Sequence, residues 1–177
     1  MRFRIAVVCI CAAFAGCEDS LHDVVHRRDA ERAEAMLARD PALVHARNRL
    51  GKTPLHYAVT YGVPEFIDLL VEHGADVNAA DNTGLTPLHV AATLGRVSEA
   101  RQLIDYHADP DARDQFGDTP MHLAALHGNL RLVKLLAEAG AGAETMNRED
   151  QCPADLARKN RREEVLDYLQ RLHARDD

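Results

Sequence analysis

Three histidines stand in the same short motif, and histidine is a residue that binds metals and transfers protons. His56, His89 and His122 each lie two residues after a proline, in the segments TPLHYA, TPLHVA and TPMHLA, and are 33 residues apart. A catalytic site needs one copy of each group, whereas equal spacing is typical of a repeated structural bond. We therefore expect these histidines to hold repeated units together. A metal site shared between units is the weaker alternative, because units stacked ~10 Å apart place equivalent nitrogens too far apart for one ion.

One of the four cysteines, Cys152, is the other group whose position suggests chemistry. Cys152 lies 33 residues after Thr119 and takes the same place before a proline. The start of a helix lowers the pKa of a thiol, so an enzyme that uses Cys152 or a pair of histidines is one hypothesis. We prefer the interpretation that Cys152 replaces threonine as a small helix cap. The sequence lacks the common hydrolase, zinc-protease, redox and phosphate-loop motifs, so we predict no enzyme, no metal and no cofactor.

The histidine motif belongs to a longer period that predicts pairs of helices. Threonine is a good N-cap, proline fits the first helical turn, and a glycine such as Gly95 ends the first helix. A second helix follows, with apolar residues such as Phe66 and Leu70 at helical spacing. CPADLA at Cys152 and SLHDVV at Ser20 continue the period in both directions. The structural repeat residues are Thr53, Pro54, His56, Thr86, Pro87, His89, Thr119, Pro120 and His122.

The period of 33, the T-P-L-H-x-A motif and the downstream segment HGADVNA at 73–79 together resemble the ankyrin repeat. The resemblance covers about residues 20–173 and implies an α solenoid of helix-turn-helix units joined by β-hairpin loops. About five units, including charged caps at both ends, are expected. The units are 20–52, 53–85, 86–118, 119–151 and 152–173, followed by a polar tail at 174–177.

Some positions depart from the repeat pattern. Glu99 and Gln102 replace Phe66 and Leu69 of the preceding unit, so we expect the third unit to be the most loosely packed. His107 stands where other units have glycine, at a position that favours a positive φ angle. We interpret these departures as relaxed packing rather than as sites.

The resemblance also implies where a partner binds, because the loop tips and first helices of ankyrin proteins line a concave protein-binding groove. Mapped one at a time, the contact positions are Leu50, Lys52, Tyr61, Asn82, Thr83, Leu85, Leu94, Gln115, Phe116, Asp118, Leu126 and His127. Half of them are large and apolar, namely Leu50, Tyr61, Leu85, Leu94, Phe116 and Leu126. We expect one or two of these to pack within the stack and the others to form an interaction surface.

The N-terminal segment MRFRIAVVCICAAFAGC predicts export. A basic start, an apolar stretch at 5–15 and a small-residue end are typical of a signal peptide, here 1–16. The apolar stretch is too short to span a bilayer, which needs ~20 residues. The segment 14–17 resembles the lipobox of bacterial lipoproteins, which implies that Cys17 is acylated and that 17–19 is a short tether. The alternative is cleavage after Ala15, which gives a soluble periplasmic protein.

Charge and localisation complete the interpretation. The net charge is −7, and about −9 without residues 1–16, which argues against nucleic acid and acidic lipid as partners. Glu18 after Cys17 favours the outer membrane, with contact to the membrane only through the lipid. We predict a monomeric, non-catalytic module that binds a protein partner in the bacterial envelope. The alternative is an immunity or inhibitor protein that neutralises a periplasmic toxin or hydrolase, since an acidic chain suits a basic enzyme.

Overall fold

The computed structural model describes residues 20–176, with side chains as far as residue 174, and is built from pairs of helices. The first helices of the pairs are α1 (Leu21–Arg27), α3 (Pro54–Tyr61), α5 (Pro87–Leu94), α7 (Pro120–His127) and α9 (Pro153–Lys159). The second helices are α2 (Ala30–Arg39), α4 (Pro64–Glu72), α6 (Val97–Asp105), α8 (Leu130–Glu138) and α10 (Glu163–Asp176). A 3₁₀ turn (Pro41–His45) follows α2.

The fold class is confirmed as an all-α solenoid. No residue in the described range lies in a β-strand, so the loops that we expected as β-hairpins are tight turns instead. In the loop 81–85, for example, Asp81 N–H donates to the carbonyl of Leu85 at 2.9 Å and Gly84 N–H to that of Asp81 at 3.0 Å. Two such bonds close a turn but do not extend into a ladder.

Each first helix begins and ends for reasons that its sequence contains. Thr86 caps α5, and Pro87 takes the first helical position, where a missing N–H costs nothing. Gly95 ends the helix with a φ of 72°, a left-handed conformation that glycine adopts without strain. In the terminal units the same left-handed place is held by Arg28 and Arg161, with φ values of 59° and 56°.

Small residues let neighbouring first helices approach closely. Ala58, Ala91 and Ala124 are fully buried where successive first helices pack. The second helices bury larger side chains, among them Phe66 and Leu132, behind this layer. The resulting continuous core runs through all the pairs, so each unit depends on its neighbours for burial of its apolar face.

The interface between the second and third units contains buried polar groups. Glu99 is only 5% exposed, at the place that Phe66 fills in the preceding unit. Gln102 donates to Asp68 across this interface, yet its own side-chain oxygen is buried without a hydrogen-bond partner, as is Nε of Arg96. A buried polar atom without a partner costs about 1–3 kcal/mol. Polar side chains therefore replace apolar ones at this interface, and the looser packing of the third unit stays a prediction.

The irregular positions adopt the backbone conformation that their place in the repeat demands. His107 has a φ of 64° and Asp150 a φ of 54°, both at sites where other units have glycine. A side chain at such an angle costs about 1 kcal/mol or more.

The predicted export signals lie outside the described residues. They are the signal peptide 1–16, the acylation site Cys17 and the tether 17–19, and they stay predictions. Among the helices that the structure does describe, none is both long and apolar enough to cross a membrane.

Candidate functional site

The repeated histidines form bonds between units. Nε2 of His56, His89 and His122 lies 2.9, 3.0 and 3.0 Å from a carbonyl oxygen of the following loop. Nδ1 accepts the backbone N–H of the threonine three residues earlier, at 3.1–3.2 Å. Because that N–H can only donate, Nδ1 carries no proton and Nε2–H is the donor. The accepting carbonyls belong to Leu85, Asp118 and Gln151.

These histidines are held in the neutral form. Burial lowers the pKa of His56, His89 and His122, although the accepting carbonyl opposes the shift in each case. Both ring nitrogens are occupied, so neither is available to a metal ion. Within the residues that the structure describes, no cluster of His, Cys, Asp or Glu side chains could hold one.

A fourth histidine of this series was missed by sequence reasoning. Nε2 of His22 lies 2.8 Å from the carbonyl of Lys52, the same bond one unit earlier. His22 follows Ser20 by two residues, whereas His56 follows Thr53 by three, because the first unit lacks the proline. Aligning SLH with TPLH, with one residue omitted, would have found it.

Cys152 lies at the start of α9 as a cap. Its backbone N–H and its thiol both donate to the Asp155 carboxylate, at 3.1 and 3.2 Å. Burial, together with the hydrogen bond to Asp155, raises the pKa of the thiol. A protonated, buried thiol is a poor nucleophile. The geometry therefore favours the helix-cap interpretation over the enzyme hypothesis for this residue.

The loop tips are closed by internal hydrogen bonds and stacked on one another. Within a loop, one carboxylate or amide accepts several backbone N–H groups, as Asp114 does from Phe116 and Asp118. Between loops, Gln115 N–H donates to the carbonyl of Thr83 at 2.9 Å. Equivalent bonds join the other tips in sequence, from Asn82 to Leu50 and from Arg148 to Phe116.

We call the loop tips 47–52, 80–85, 113–118 and 146–151, together with the C-terminal ends of the first helices, the groove face. Three of its predicted apolar contacts are exposed: Leu50 at 62%, Phe116 at 58% and Leu94 at 49%. The other three, Tyr61, Leu85 and Leu126, are half-buried. Of the six, Tyr61 packs against the apolar core, and its ring also contacts that of His26, with the two centroids 4.3 Å apart.

The polar contact positions of the groove face divide in the same way. Thr83, Gln115 and His127 are exposed, and Lys52 is half-buried. Two others are bonded within the stack: Asn82 donates to the carbonyl of Arg49, and Asp118 accepts from Asn147. Such residues position the loops and are less available to a partner.

Met146 is an exposed apolar residue of the groove face that sequence reasoning missed. Its side chain is 49% exposed, and its carbonyl accepts a hydrogen bond of 2.7 Å from Arg113 one unit earlier. Adding the position immediately before each loop's Asp or Asn to the predicted contact positions would have included it. Arg47, Ala80 and Arg113 occupy that position in the other units.

Comparison with known proteins agrees with this geometry. A family model described as "Ankyrin repeats (3 copies)" matches residues 21–114 and 98–176. The serine/threonine-protein kinase VIK of Arabidopsis thaliana is 46% identical over 52 residues, which is 29% of this chain and 12% of the kinase. The chain thus spans about 12% of the length of that relative, and the likeness carries no kinase activity over to it. Because the family model covers nearly all of the described residues, and the period and the histidine bonds agree with it, the chain belongs to the ankyrin-repeat family.

Proposed function

We propose that this protein is a non-catalytic binding module, exported to the bacterial envelope, that holds a protein partner on its groove face. Ankyrin repeats typically mediate binding between proteins, which supports the general part of the proposal. The export part rests on the sequence of residues 1–17. Only Glu18 and Asp19 separate Cys17 from Ser20, so an acyl anchor on Cys17 would keep the stack close to the membrane surface.

The observation that carries the binding role is the set of exposed apolar side chains on stacked, hydrogen-bonded loops. Leu50 and Phe116 project from loop tips two units apart, and Leu94 from the helix end between them. A face that meets only water has no need of large apolar side chains in this arrangement. Loops that are already held by hydrogen bonds also lose less conformational entropy when a partner binds.

A triple substitution tests this role. In Leu50→Ser, Leu94→Ser and Phe116→Ser combined, we expect the protein captured by the tagged full chain from an envelope fraction to fall at least about tenfold, since central apolar contacts contribute 1 kcal/mol or more each. The midpoint of thermal unfolding should change little, because all three side chains are exposed. Tyr61 is left intact, because it packs on His26.

The matched control carries Ser at Arg101, Arg131 and Lys134, which are exposed on α6 and α8. This variant should capture as much partner as the native chain. Undiminished capture by the groove variant would contradict the proposal, and so would an equal loss in both variants. If the captured protein is a toxin or a hydrolase, the inhibitor alternative describes the role of the same face.

A further inference from the structure

The groove face is not uniform in charge, because its first-unit end carries a group of cations. Arg28, Arg47 and Arg49 are exposed there, and Lys52 is half-buried. We call these four residues the basic end. The whole chain has a net charge of −7, so this local group of positive charges is opposite in sign to the protein as a whole.

Two half-buried tyrosines, Tyr57 and Tyr61, lie between Arg28 and the loop that carries the rest of the basic end. Arg28 donates from Nη2 to the carbonyl of Tyr61 at 3.1 Å. Asn48 lies in the loop that carries the other three cations of the basic end, and it donates to the hydroxyl of Tyr57 at 3.0 Å. The rings of Tyr57 and Tyr61 lie 5.8 Å apart between these two bonds. The two tyrosines thus connect the loop to Arg28 at the end of α1.

No carboxylate of the described residues forms an ion pair with the basic end. Arg47 donates to the carbonyls of Gly51 and Ala80, at 2.9 and 2.6 Å, and these acceptors carry no charge. The nearby carboxylate of Asp81 is buried and accepts hydrogen bonds from its own loop. Burial is the main cause that lowers the pKa of His56; the hydrogen bond to Leu85 and the charge of Asp81 raise it, and the charges of Lys52 and Arg47 lower it.

We propose that the basic end binds an acidic segment of the protein partner, whose following apolar side chains lie on Leu94 and Phe116. This inference rests on the proposed function of the groove face. Arginine matches carboxylates through paired hydrogen bonds, and aromatic rings beside it add apolar contact. The segment has a direction, because the cations belong to the first unit and the exposed apolar side chains continue to Met146 in the fourth.

A uniform polyanion fits this face less well than an acidic polypeptide segment. The third and fourth loops carry the carboxylates of Asp118, Glu149 and Asp150 against the cations Arg113 and Arg148, and this negative excess would repel the far end of a nucleic acid. A polypeptide can place carboxylates at the basic end and apolar side chains farther on.

The test uses a displayed library of random 16-residue peptides, selected on the immobilised full chain. A fluorescent peptide from the selected pool is then titrated with the native chain, with the triple variant Leu50→Ser, Leu94→Ser, Phe116→Ser, and with the double variant Arg49→Glu, Lys52→Glu. These two side chains make no hydrogen bond within the stack, so reversing their charge should leave the fold intact. The matched control is Arg101→Glu, Arg131→Glu, at exposed positions on α6 and α8.

We expect the selected peptides to be enriched in Asp and Glu. The double variant Arg49→Glu, Lys52→Glu should bind them about tenfold more weakly, and the control should bind them with the affinity of the native chain. Peptides without acidic excess that still depend on Leu94 and Phe116 would overturn this inference and leave the proposed function standing. If no peptide depends on the groove face, both fail. Equal competition by an oligothymidine of 20 nucleotides would assign the site to polyanions. A molecular mass of the native chain that rises with concentration, but not in the double variant, would assign it to a second copy. Either result overturns the inference.

Discussion

Replacing His89 by alanine is expected to lower the free energy of unfolding by about 3–5 kcal/mol. The ring is completely buried and joins two units through the 3.0 Å contact between its Nε2 and the carbonyl of Asp118. Its removal leaves the N–H of Thr86 and that carbonyl without partners, and each unsatisfied buried group costs about 1–3 kcal/mol. The cavity that remains adds to this cost. Since small proteins are stable by about 5–15 kcal/mol, much of the stability would be lost.

Urea denaturation followed by far-ultraviolet circular dichroism measures the effect. His127→Ala is the matched control, because this histidine lies in the next unit but is exposed on the groove face. We expect the control to change the free energy of unfolding by less than about 0.5 kcal/mol. A loss below about 1 kcal/mol in His89→Ala would contradict the bond between units as a main source of stability.

Acidification is expected to destabilise the protein through the same histidines. Burial lowers the pKa of His56, His89 and His122 below the ordinary value of 6.5. In the unfolded chain they take up protons near pH 6.5, whereas in the folded protein they do so only at lower pH. Stability is therefore complete above about pH 6.5 and decreases as the pH falls from there toward the lowered values. Because each histidine contributes at most about 1.4 kcal/mol per pH unit, the slope from these three has an upper limit of about 4 kcal/mol per pH unit.

The free energy of unfolding, measured in urea at intervals between about pH 7.5 and 5.5, gives this slope directly. The carboxyl groups of Asp23, Asp81 and Asp155 do not interfere, because their pKa values are lowered from 3.8 and they titrate in a separate, more acidic range. His89→Gln should reduce the slope by about one third, and His127→Gln should not. A flat profile through this range would show that the histidines are not held neutral.

The sequence predicts the repeated helical pairs well because their signals are local. Thr86, Pro87 and Gly95 determine the ends of α5 through capping and backbone conformation, which depend on neighbours in the chain. The strict period of 33 then identifies the ankyrin family. His22 escaped the same reasoning because one residue is missing from its unit, and a fixed period does not align a shortened repeat.

The groove face was predicted less well because exposure depends on packing between units. Tyr61 and Leu94 occupy equivalent positions in adjacent units. Tyr61 is half-buried because the ring of His26 in the preceding unit lies against it, whereas Leu94 remains exposed. Met146 was missed for a related reason, since the residues at its position in other units are polar or small. The basic end also forms only when the stack brings Arg28 beside the second unit.

Photo-crosslinking in cells shows whether the groove face binds a protein. A crosslinking amino acid is placed at Phe116, which is 58% exposed, and in a second variant at Arg131, which is exposed on α8. Living cells that make the full chain are irradiated, and crosslinked proteins are identified by mass spectrometry. We expect one dominant protein to be crosslinked from position 116 and not to be crosslinked from position 131. The same proteins from both positions, or none from Phe116, would contradict it.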